Sequence, residues 1–118
     1  MEESILQTVK ATIGITSDQT HFDSEILMHI NSIIAKLNQI GIGPTEGFRV
    51  EDESSDWSSF IGDDPNLDMV KDYISISVKL AFDPPSNSFA IDSLRKITDE
   101  YEWRLSVKAT ESEVIYGV

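Results

Sequence analysis

The stretch 80–105, LAFDPPSNSFAIDSLRKITDEYEWRL, decides the fold of this chain. Proline has no amide hydrogen and disfavours helical geometry in the residue before it, so a helix reaching Phe82 must end near Asp83. Ser86, Asn87 and Ser88 then offer side-chain oxygens to cap a following helix. In that helix Ala90, Leu94, Ile97, Tyr101 and Leu105 share one face at 3.6-residue spacing. Helices joined by so short a connection pack as an antiparallel pair, and this hairpin is the frame for the rest.

Upstream of it, Ile5, Leu6, Val9 and Ile13 predict an amphipathic helix closed by Gly14. A second helix follows the polar connection 16–21, with Asp23 or Ser24 as its cap. It carries Ile26, Leu27, Ile30, Ile33, Ile34, Leu37 and Ile40, and ends at Gly41 before Gly43-Pro44. The segment 67–82 fits two templates. Ile74, Ile76, Val78 and Leu80 alternate as in a strand. On a helix, Leu67, Val70, Ile74, Val78 and Ala81 form one stripe, and Met69, Tyr73, Ile76 and Leu80 a second. Sixteen residues exceed a normal strand and Pro65-Asn66 makes a plausible start, so the segment is assigned as helix. Apolar on most of its circumference, it belongs either at the centre of the subunit or against a neighbouring one.

Between residues 41 and 65 the periodicity dissolves. Phe48-Arg49-Val50 suits a short hairpin arm, while Trp57, Phe60 and Ile61 are the anchors that could pin the segment down as a helical turn. Nine acids lie between Glu46 and Asp72, among them Glu51, Asp52, Glu53 and Asp56, against Arg49 and Lys71. The local net is about −7. A long loop of this kind inside a small domain is usually functional. The expected architecture is mostly α: a small bundle of about four helices (1–108), this acidic loop between the second and third, and an extended C-terminal tail (109–118).

At 118 residues the chain is one domain burying roughly two-thirds of its unfolded surface. Its net charge of −12 opposes nucleic-acid binding by phosphate neutralisation and attraction to an anionic membrane. Without cysteine it has neither a disulfide framework nor a thiolate metal site. Met1-Glu2-Glu3 is acidic where a secretory signal is basic, and no apolar run is long enough to span a bilayer. The expectation is a soluble intracellular protein.

Catalytic constellations are missing. There is no Gly-rich phosphate loop, nucleophile elbow or His-Glu-x-x-His. His21, Asp23 and His29 are poorly placed to share a metal, because only His29 lies inside a helix. Glu51-Asp52-Glu53 with Asp56 lacks the spacing and glycine of a calcium loop, so solvated charge is the simpler reading. Glu100 and Glu102, two apart on a helix, diverge. No catalytic residue, metal or cofactor is assigned. Phe89, Trp103 and Val107 lie off the main stripe of the last helix and near one another in projection. An aromatic second face of that kind suits a partner surface. Val114-Ile115-Tyr116 forms a small apolar knot able to dock as an added strand.

The order of signals resembles the small head–tail connector (adaptor, or head-completion) proteins of long-tailed bacteriophages and prophages. The resemblance is carried by Gly41-Ile42-Gly43-Pro44 with Glu46-Gly47-Phe48 and by Trp57-Ser58-Ser59-Phe60-Ile61-Gly62-Asp63. It is strongest at Phe82-Asp83-Pro84-Pro85-Ser86-Asn87-Ser88-Phe89 and Glu102-Trp103-Arg104-Leu105. It implies a non-enzymatic, mostly helical virion protein at the head–tail neck, assembled in the host cytoplasm. Such subunits form a ring with their own copies, usually twelve, beneath the portal protein. The ring extends the DNA channel and presents a platform to the next head-completion or tail protein. The resemblance also implies that the tail with Val114, Ile115 and Tyr116 reaches the portal, and that the acidic loop sits near the channel or an interface.

Two physical readings accompany it. Twelve copies would bring on the order of 140 negative charges together, and an acidic bore lets DNA pass without binding specifically. Trp57, Phe60, Tyr73, Phe82, Phe89 and Trp103 are the candidate subunit or partner contacts; Glu51, Asp52, Glu53 and Asp56 are candidate channel or loop acids. Two rivals are an acidic DNA mimic or regulatory protein, whose acids should line one continuous face, and a small hydrolase, which the missing constellation disfavours.

Overall fold

A computed structural model describes residues 3–62 and 64–116, with side chains through Lys108. Five helices follow in order among the described residues: α1 (Ile5–Thr12), α2 (Asp23–Gln39), α3 (Trp57–Ile61), α4 (Leu67–Phe82) and α5 (Ser88–Tyr116). They contain no strand, only an isolated bridge between Ser4 and Asp56, so Phe48-Arg49-Val50 is not a hairpin arm.

Local chemistry sets the boundaries. Ser4 caps α1, its hydroxyl accepting from the Gln7 amide at 3.3 Å. At the far end Gly14 N–H donates to the Ala11 carbonyl and Ile15 N–H to Lys10, a Schellman closure that requires positive φ at the glycine. The end of α2 repeats it: Gly41 donates to Asn38 and Ile42 to Leu37. Neither Asp23 nor Ser24 caps α2. Asp23 is its first residue, and the carboxylate is turned instead to Lys10 at 2.8 Å. Asn87 caps α5, accepting from the amides of Phe89 at 2.8 Å and Ala90 at 3.2 Å.

Helix α4 is central, packing against α1, α2 and α5. Val70, Tyr73, Ile74 and Val78 meet Ile5, Leu6 and Val9 of α1 and Ile26, Ile30, Ile34 and Leu37 of α2 in one core. Its doubly apolar character is therefore satisfied within the subunit, the second stripe lying partly covered. Helix α5 gives this core little: Leu105 is fully buried and Thr98 nearly so. The inward phase passes through Thr98 rather than Ile97, which is left 37% exposed, because Leu94, Thr98, Tyr101 and Leu105 follow the seam facing α4.

Helix α5 continues without a break through 109–116, the stretch read from sequence as a separate extended tail. No proline or glycine lies between Pro85 and Gly117, and Ala109, Glu111 and Glu113 are tolerant of helix. The side chains of Val114, Ile115 and Tyr116 lie outside the described ones. No helix of the described residues is long and apolar enough to cross a membrane.

Candidate functional site

The acidic loop is anchored at several points. The Asn31 side chain clamps Val50, its amide donating to the carbonyl at 3.0 Å and its oxygen accepting from the N–H at 2.7 Å. Further on, Ile5 N–H donates to the Ser55 carbonyl and Trp57 N–H to Glu3, stitching the loop beside the start of α1. Trp57 is 2% exposed, with its indole N–H on Thr8 Oγ1 at 3.1 Å. Lys71 ion-pairs with Glu3 and lies over the indole, 5.8 Å from the ring centroid. Phe60 is equally buried, stacked on Phe48 with ring centroids 5.1 Å apart.

This arrangement corrects part of the expected contact surface. Trp57, Phe60 and Tyr73 are buried in the subunit's own core and offer no area to a partner. Large apolar side chains in an otherwise polar loop signalled burial of either kind; the hydrogen bonds of Trp57 decide for the interior. Tyr73 instead completes a polar tie across three helices. Its hydroxyl donates to Glu102 Oε2 at 3.3 Å, and Lys36 of α2 pairs with the same oxygen at 3.1 Å. The Glu102 carboxylate holds the Lys36 ammonium above its ordinary value. Burial first, then Glu102, pushes the Tyr73 hydroxyl up.

Phe89 and Trp103, by contrast, are 79% and 66% exposed on the outer face of α5. Fourteen residues apart, they are almost in phase and separated by about 21 Å along the axis. Lys96 lies midway on the same stripe, exposed and without a charged partner among the described residues. Val107 is half-buried. Phe82 is partly covered, packing edge-on against Phe22 at 5.4 Å, and Phe22 is itself 46% exposed. Sequence reading missed Phe22 and the 61% exposed Met28. The signals were there: a lone aromatic in a polar connection, and a methionine off the core stripe of α2.

Three of the loop acids, Glu51, Asp52 and Glu53, are exposed, whereas Asp56 has a structural duty as the cap of α3, accepting from Ser59 N–H at 2.8 Å. Hydrogen bonds from Ser54 to Asp52 and from Ser59 to Asp56 hold both carboxyls below their ordinary values, so they stay ionised into acid. His21 meets Phe22 edge to face and Asp23 pairs with Lys10; no metal-holding cluster occurs among the described residues.

Charge is segregated along the chain. Residues 1–66 hold twelve acids and three bases, a net of −9, whereas the α4–α5 hairpin, 67–108, holds seven acids and six bases, a net of −1. The exposed aromatics of α5 thus belong to the segment of lower net charge, with Asp92, Asp99 and Glu100 exposed between them on the same helix.

A family model described as phage connector protein matches residues 5–112. No curated protein and no solved structure matches the chain.

Proposed function

The chain belongs to the phage connector protein family, and from that premise we propose that it is a structural subunit of the head–tail neck which assembles with its own copies into a ring under the portal. The ring extends the DNA channel and carries the next head-completion or tail protein. The observation behind this reading is the outer face of α5. A subunit finished on its own has no use for Phe89 and Trp103 in water, because a contact surface needs large aromatics that few monomers expose together.

The charge supports a passive channel. DNA neutralised by a protein needs clustered bases, whereas a bore lined by Asp52, Glu53 and their copies repels phosphate and keeps the duplex moving. The acids thicken in one loop and do not run along a continuous face, which sets the chain apart from a DNA mimic.

Imaging purified chain mixed with purified portal particles by negative stain tests the proposal. A ring of extra density on the portal is the expected result. Portal particles left bare at saturating concentrations, with native mass spectrometry showing only monomer, would refute it.

A further inference from the structure

The contact surfaces of the ring follow from the separation of charge and apolar groups. Two copies each carrying −12 repel, so they meet favourably only where one presents little negative charge, or where bases meet acids. The outer face of α5 meets the second condition: it mixes Lys96 and Arg104 with the exposed acids Asp92, Asp99 and Glu100, the last paired with Arg104. Phe89, Lys96 and Trp103 repeat every seven residues on one stripe, an apolar group at each end and between them an ammonium without an ion pair among the described residues.

A complementary surface lies elsewhere on the same molecule. Helix α2 and the segment 49–51 line an open groove that includes Leu27, Met28, Val50, Arg49 and Glu51. Met28 is largely exposed there. Among the described residues the Glu51 side chain pairs with Arg49 at 3.5 Å, both side chains more than two-thirds exposed, a pair of little energetic weight. This groove and α5 lie on different sides of α2: Asn31 points into the groove and Lys36 reaches α5, about 140° apart on the helix.

We infer that the outer stripe of α5 on one copy docks into the α2/49–51 groove of the next, with Trp103 against Met28 and Leu27 and Lys96 against Glu51. The inference rests on the reading that the chain assembles with its own copies. Because donor and acceptor surfaces differ, the contact is heterologous; repeated with a rotation that closes, it makes a ring that leaves no unused stripe or groove. Meeting of two α5 faces would be two-fold and would stop at a dimer. The neighbouring Asp52 and Glu53 stay outside the seam, free to line the bore.

The absence of native cysteine makes the test clean. Lys96→Cys and Glu51→Cys chains, each exposed-site variants, are mixed under mild oxidation. We expect a one-to-one disulfide dimer from the mixture, no product from either alone, and a ladder of multimers from the double variant. Separately, Lys96→Glu weakens self-association by about tenfold or more, and adding Glu51→Lys restores it. Dimers from Lys96→Cys alone overturn the inference in favour of a two-fold contact. Rings of unmodified chain by native mass spectrometry, without the mixed crosslink, overturn this interface and leave the ring standing. Monomer at every concentration, again without crosslink, overturns both.

Discussion

Replacing Trp57 by Phe removes two ring carbons and the indole N–H from a site that is 2% exposed. At about 0.8 kcal/mol per buried carbon the apolar loss is roughly 1.6 kcal/mol. The hydrogen bond to Thr8 adds about 1 kcal/mol, without leaving Thr8 stranded, because its hydroxyl donates to the Ser4 carbonyl at 2.7 Å. The expected destabilisation is therefore about 2–3 kcal/mol, a large share of what a domain of this size possesses. Trp103→Phe is the matched control: the same substitution on a 66% exposed ring costs the isolated subunit less than about 0.5 kcal/mol. Urea titration followed by far-UV circular dichroism measures both. The two variants also separate the emitters, since the first retains only the exposed indole and the second only the buried one. Equal losses of stability in the two variants, or a Trp57→Phe midpoint unchanged from the parent, would show that the loop is not anchored through this indole.

Ser75 is 96% buried on α4 and its hydroxyl has no hydrogen-bond partner among the described residues, so Ser75→Ala is expected to stabilise by about 1 kcal/mol in thermal or urea unfolding. Gly43→Ala is expected to cost more than about 1 kcal/mol, because φ is +88° and the new Cβ would lie 2.6 Å from Phe60 Cε1; the unfolding midpoint reports it. Tyr73 keeps its proton to higher pH when folded than when unfolded, so its contribution is complete below the unfolded value near 10 and is lost as pH rises through the folded one. Urea midpoints measured from about pH 8 upward should fall on the alkaline side, and Tyr73→Phe should flatten that fall.

The helices were legible because their ends are chemically marked. Pro65-Asn66 and Asp83-Pro84-Pro85 bracket α4 at Leu67 and Phe82, although the interior residues also alternate like a strand. Glycines in Schellman closures marked the ends of α1 and α2. What the pattern hid has physical reasons. Thr98 took an inward position that hydrophobic periodicity assigns to Ile97, because packing on α4 fixes the phase and a threonine is small enough to fit. The Asn31–Val50 clamp joins a side chain to a backbone nineteen residues away, a separation no local signal reports. Lys10 is 1% exposed, buried by its pairing with Asp23, and a lysine on a short amphipathic helix reads as surface. Trp57 and Phe60 show the converse limit. Aromatic anchors in a polar loop announce burial without saying whether the subunit or a neighbour supplies it.

Helix α5 is held to the subunit by one face and open on the other. Among its described residues only Leu105 is fully buried, and polar ties accompany it: Lys36–Glu102–Tyr73 and the Tyr101 hydroxyl donating to Asp72 at 3.4 Å. Polar ties at a partly wet surface contribute little net stability each. Its outer face carries the larger apolar side chains. A neighbour seated on Phe89 and Trp103 would cover α5 from the second side, so ordering of this helix and formation of the seam would reinforce one another. In the proposed ring, then, Phe89 and Trp103 would bring to α5 the apolar burial that its described inner face draws mainly from Leu105 and Thr98.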